Sequence, residues 1–211
     1  MLSHEDNKLL TQVGPGTPMG DLFRSFWVPV LLSEEVPNPD CPPVRVKVLG
    51  EYLVAYRDTS GEVVLVEEYC PHRAASFYFG RNEQHGIRCA FHGWKFDKTG
   101  KCVDMPSEPP DSPMKKNICV QVYPCKDQGG IVWTYMGPKE RMPDFPVYEW
   151  ADAPDGNRVV SKWHQECSYI QGKEANLDSS HVSFLHYGEI GGLNKERTQG
   201  HDILGQITAR V

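Results

Sequence analysis

The chain has 211 residues, room for one ordinary domain or two small ones. Hydrophobic residues make up 39% and charged residues 24%, a globular balance that excludes an extensively disordered chain. The net charge of −6 presents no basic field to nucleic acid, the longest near-apolar stretch (26–32) is far too short to span a bilayer, and the polar, acidic start lacks the pattern of a secretory leader.

These features read as a cytoplasmic protein with no membrane partner. The seven cysteines (41, 70, 89, 102, 119, 125 and 167) are odd in number, against a complete disulfide framework. A reducing compartment keeps thiols free, so cysteines spaced regularly to histidines read first as metal ligands.

Residues 1–43 form a loop-rich segment with a short helix at Asp21–Trp27. The glycines of Val13–Gly20 are interrupted by two prolines and follow no strand, which excludes a phosphate loop. Residues 44–140 change texture to short β-type runs: Val44–Val48, Tyr52–Tyr56, Val63–Val66, Trp94–Phe96, Ile118–Tyr123 and Ile131–Tyr135. Their Gly, Asp and Pro turns predict a small antiparallel barrel or sandwich. Residues 141–157, with Pro143, Pro146 and Pro154, read as a linker. Residues 158–211 open a further domain, with a strand at Val159–Trp163, a helix from Lys173 to about Leu185 and a strand over Ile203–Val211.

Two stretches carry chemistry. In the first, Cys70-Pro-His72 is followed after sixteen residues by Cys89-Ala-Phe-His92. Each half offers one thiolate and one imidazole. That division suits a two-iron cluster in which one iron takes both cysteines and the other both histidines. Neutral imidazoles leave less negative charge on their iron, so such a cluster is easier to reduce than an all-cysteine one. A closed tetrahedral zinc site also takes two Cys and two His, but its cysteines usually stand two to four residues apart.

The second stretch is Asp178-x2-His181-x4-His186. On a straight α-helix, at about 100° per residue, His181 and His186 lie about 140° apart, too far for one face. Binding a common ion therefore requires a wide or broken helix near Val182–Leu185. The alternative is two histidines packing on a partly apolar helix.

Cys70-Pro-His-Arg73 and Cys89-Ala-Phe-His-Gly-Trp94 resemble the Rieske loops of aromatic-ring-hydroxylating oxygenase large (alpha) subunits. Phe77–Arg81, Lys95–Asp97 and Asp104–Glu108 resemble the phthalate-dioxygenase-like branch in particular. The resemblance implies a mainly β Rieske domain followed by the start of an α+β, helix-grip catalytic domain. It implies a [2Fe–2S] cluster on Cys70, His72, Cys89 and His92, and a mononuclear non-haem Fe(II) on His181 and His186. Asp178 is then the acid linking a Rieske histidine of a neighbouring subunit to an iron-binding histidine. The third iron ligand of the family stands far downstream, so the chain is expected to be the front portion of a longer subunit.

The implied protein is a terminal oxygenase component that uses O2 to hydroxylate or O-demethylate an aromatic substrate. It would take electrons from a flavin and iron–sulfur reductase using NAD(P)H, and would assemble as a homotrimer or larger homo-oligomer. Two alternatives remain open: a Rieske ferredoxin-like electron carrier without oxygenase activity, and a zinc-stabilised binding module. No role follows from sequence for Trp94 beyond shielding the cluster or packing the core.

Overall fold

The computed structural model describes residues 2–109 and 112–186. The strand expected over 203–211 lies outside these residues. The chain divides into two compact units, 1–163 and 164–211. No helix among the described residues is long and apolar enough to cross a membrane.

The first unit is mostly antiparallel β-structure. Two short helices, α1 (His4–Thr11) and α2 (Pro18–Arg24), lead into it. Helix α2 starts earlier than the sequence suggests, because Thr17 caps it: its Oγ1 accepts the Gly20 N–H, and Pro18 stands in the first turn. It also ends earlier. Trp27–Leu32 is a strand, β1, whose pairing decides its conformation. There follow β2 (Val44–Val48), β3 (Glu51–Arg57), β4 (Val63–Glu67), β5 (Arg81–Glu83), β6 (Gly86–Arg88), β7 (Lys95–Asp97) and β8 (Cys102–Asp104). After the one-turn α3 (Met114–Asn117) come β9 (Val122–Tyr123), β10 (Cys125–Gln128) and β11 (Ile131–Tyr135).

The strands make three sheets, ordered β1-β11-β10, β2-β3-β4-β9 and β5-β6-β7-β8. The middle sheet is buried on both faces, as its continuous apolar run Leu53-Val54-Ala55-Tyr56 shows. Period-two alternation sends Leu53, Ala55 and Leu65 to one core with Leu31 and Val132. It sends Val54, Tyr56, Val64 and Val66 to a second core with Phe77, Ile87, Trp94, Phe96, Cys70 and Cys89. The cysteine-bearing loops therefore grow out of a packed core.

Two tight turns of the same build, Asp58-Thr-Ser-Gly61 and Asp97-Lys-Thr-Gly100, close the β3–β4 and β7–β8 hairpins. In each, one Asp oxygen accepts the N–H and the hydroxyl of the residue two on and the N–H four on.

In the second unit, α4 spans Tyr169–Leu177 and α5 is the single turn Val182–Leu185. The helix expected over 173–185 is thus broken at 178–181. The strand expected at Val159–Trp163 does not form. It has no ladder partner among the described residues, and Val159 and Trp163 are 95% and 75% exposed. Apolar alternation makes a strand only where a neighbouring strand takes its hydrogen bonds.

Candidate metal centre

Cys70 follows β4, and Cys89 stands between β6 and β7. The two loops have one hydrogen-bond frame. Ala74 N donates to Cys70 O at 2.9 Å and Cys70 N to Ala75 O at 2.9 Å; Gly93 N donates to Cys89 O at 3.1 Å and Cys89 N to Trp94 O at 2.8 Å. In both, the residue four after the cysteine takes a left-handed conformation, Ala74 at φ 54° and Gly93 at φ 75°. The frame turns each chain back on itself, seats each cysteine in the core and lifts each histidine towards the tip. His72 is the third residue of its frame and His92 the fourth, so the unequal Cys–His spacings in the sequence are two choices within one loop shape.

Each loop is tied down. Arg88 donates from Nη1 to Gly93 O at 2.6 Å and to Asp104 Oδ2 at 2.7 Å, and from Nε to Glu83 Oε1 at 2.6 Å. Glu68, 2% exposed, accepts from Arg45 Nε and Ser76 Oγ, both at 2.7 Å, while its carbonyl takes the Phe77 N–H. A buried carboxylate is tolerable when it is paired in this way. Sequence reasoning assigned no role to Arg88, Glu68, Ala74 or Gly93. Only the glycine carried a signal.

The structure brings all four sequence-predicted residues together, as two pairs. Cys70 and Cys89 are both buried in the same core cluster. The His72 and His92 rings lie edge to face, centroids 4.5 Å apart. Burial chiefly, and then Cys89, pushes the Cys70 thiol up to about 11, against the donated N–H groups of His72 and Arg73. Burial and then the neighbouring His92 hold His72 below the usual imidazole value, so it is neutral. Its Nδ1 is buried and has no hydrogen-bond partner. Two imidazoles side by side, one with a buried and unpartnered ring nitrogen, and two buried cysteines are the donor set of a mixed-ligand cluster, so the residues fit such a group.

The second predicted set lies in the other unit. Asp178 ends α4, its N–H still reaching Glu174 O. Its Oδ1 accepts the Ser180 N–H at 2.8 Å, and its Oδ2 lies 3.2 Å from His181 Nδ1. The Ser180 N–H, and then His181, hold the Asp178 carboxyl below the usual range against desolvation. A carboxylate only accepts, so His181 Nδ1 is the donor in this contact. His181 and His186 stand at the two ends of α5, centroids 5.4 Å apart. The break lies at 178–181 rather than near Val182–Leu185, where the sequence geometry expects it: those four residues are themselves the helical turn α5, and the two histidines flank it.

Residues 26–124 match the Rieske [2Fe-2S] domain, and residues 134–202 match the LigXa C-terminal domain like family. The 3-chlorobenzoate-3,4-dioxygenase oxygenase subunit of Comamonas testosteroni is 43% identical over 98% of this chain and 47% of its own length. The phthalate 4,5-dioxygenase oxygenase subunit of Pseudomonas putida is 44% identical over 90% of this chain and 43% of its own. Among solved structures, Pseudomonas putida CBB5 NdmA superposes with a TM-score of 0.67 at 28% identity, over 79% of this chain and 51% of that one. The fold and the paired loops thus define a Rieske [2Fe–2S] protein. More narrowly, the chain belongs to the Rieske non-haem iron oxygenase large subunits, in the phthalate-dioxygenase-like branch. It spans about half the length of the relatives it matches.

Proposed function

We propose that the chain is the cluster-bearing part of a terminal oxygenase component acting on an aromatic substrate with O2. Cys70, His72, Cys89 and His92 are its Rieske ligands. The observation that carries this reading is the shared frame of the two loops, with both cysteines buried in one core, the imidazoles 4.5 Å apart and His72 Nδ1 buried without a partner. A bound [2Fe–2S] cluster supplies one-electron storage, at a potential raised by its neutral histidines. With the cluster bound, Cys70 and Cys89 would supply the thiolates from the core, and the partly buried His72 and His92 would stand on the side from which electrons are exchanged.

In the same reading His181 and His186 hold a mononuclear ferrous iron, which would supply dioxygen binding and activation. Asp178 fixes His181 with Nδ1 protonated and Nε2 available for metal. The relatives are about twice as long, and we place the completing carboxylate and the aromatic pocket in that further half. The expected assembly is a homotrimer or larger ring in which Asp178 also meets a neighbouring subunit's Rieske histidine. An NAD(P)H-dependent flavin and iron–sulfur reductase is the expected electron donor in the cytoplasm. Hydroxylation and O-demethylation are the expected reactions.

The test is the iron, zinc and acid-labile sulfide content of anaerobically purified protein, with an EPR spectrum after dithionite. Two irons and two sulfides per chain with a low-average-g signal are expected from the Rieske site, and a further iron from the histidine pair. Cys70→Ser is expected to lose the sulfide and the signal. Zinc without sulfide overturns the reading.

A further inference from the structure

We propose that the Trp94 indole N–H donates a hydrogen bond to a sulfur of the cluster, making the cluster easier to reduce; this rests on the Rieske reading above. Trp94 is 2% exposed, and its ring stacks on His72 at 4.3 Å between centroids and 6° between planes. Its carbonyl accepts the Cys89 N–H. One side chain thus touches the histidine of the first loop while its backbone closes the second. Its Nε1 is buried and has no partner.

Other tryptophans of the same unit show what an indole N–H ordinarily does. Trp27 Nε1 donates to Pro143 O at 3.0 Å, and Trp133 Nε1 to Gln128 O at 3.2 Å. Among the described residues, the buried side-chain nitrogens without a partner are two, His72 Nδ1 and Trp94 Nε1, and they lie on the two rings of one stack. An iron accounts for the first. A donor needs an acceptor instead, and the sulfurs of the same cluster, bridging sulfide or cysteine thiolate, are the acceptors that group would bring. Hydrogen bonds to cluster sulfur withdraw negative charge and favour the reduced state, which carries one more electron.

The experiment compares the full chain with Trp94→Phe, each loaded with cluster, by iron and sulfide content and by EPR-monitored redox titration. Phenylalanine keeps a ring against His72 and removes the N–H. The variant is expected to retain two irons and two sulfides. Its ratio of reduced to oxidised cluster at a fixed solution potential is expected to fall about tenfold, equivalent to about 59 mV for one electron. An unchanged potential overturns the proposal and leaves Trp94 as packing. Should Trp94→Phe fail to hold the cluster, wild-type protein labelled with 15N at the indole nitrogen decides. Pulsed EPR of the reduced cluster is expected to show an isotropic 15N coupling, and its absence overturns the proposal. Wild-type protein that takes up no sulfide fails the Rieske reading itself, and this proposal falls with it.

Discussion

Four residues after the cysteine stands Ala74 in the first loop and Gly93 in the second, both left-handed. An L-residue in that region gives up about 1–2 kcal/mol, while glycine loses about 0.5–1 kcal/mol in chain entropy. Ala74→Gly is therefore expected to stabilise the fold by about 0.5–1 kcal/mol by these figures. Gly93→Ala is expected to destabilise by about 0.5–1 kcal/mol on the same difference, and by more as the neighbour gives way, because its new Cβ would sit 3.1 Å from Pro106 Cγ. Urea midpoints of the two variants should move in opposite directions. Equal shifts of one sign would contradict the shared frame.

Glu83 accepts from Arg88 and Arg81, which hold its carboxyl below the usual glutamate value. A depressed carboxylate stabilises the fold fully above its unfolded value, about 4.3, and loses that contribution as the pH falls through its lowered folded value. The stability difference between wild type and Glu83→Gln should therefore be flat from about pH 8 to 5 and shrink below about pH 4. A difference that grows on acidification would reverse the assigned sign.

At the scale of elements, the two loops share a floor. Phe77, after the first, meets Phe96 of β7, after the second, edge to face at 5.5 Å, and both are fully buried. Truncating Phe96 to alanine is expected to cost about 3–5 kcal/mol and to lower cluster retention. Leu65→Ala faces the other core and is expected to cost about 2–5 kcal/mol, with cluster retention per folded molecule unchanged. Iron and sulfide measured against the folded fraction separate the two. The sequence showed β2 through its apolar alternation, and β3, β4 and β11 as short apolar β-type runs between turn residues. It did not show β1, and it put the helix break near Val182–Leu185 rather than at 178–181. The first depends on pairing with β11, 99 or more residues away in sequence at Leu32↔Ile131. The second depends on Asp178 turning its side chain to Ser180 N.

At the scale of the molecule, all four proposed Rieske ligands and both cores lie within residues 1–163, while Asp178, His181 and His186 lie in the other unit. A chain ending at Trp163 is expected to fold and to hold two irons and two sulfides with an unchanged EPR signal. Loss of the cluster on that truncation would show that the second unit supports the first.

By itself, the sequence determined which donor side chains are on offer for the proposed cluster. Two Cys–His pairs sixteen residues apart, with no disulfide framework around them, carry ligand identity in residue type and spacing, which are local properties. It also determined that residues 44–140 are β-structure, because period-two alternation is written along the chain. Only the tertiary structure decided that the two loops are one shape used twice, that Arg88 and Glu68 anchor them, and that Trp94 places an unpartnered N–H beside His72. Those facts are distances and unfilled hydrogen bonds between residues far apart in sequence, and they exist only once the sheets have packed.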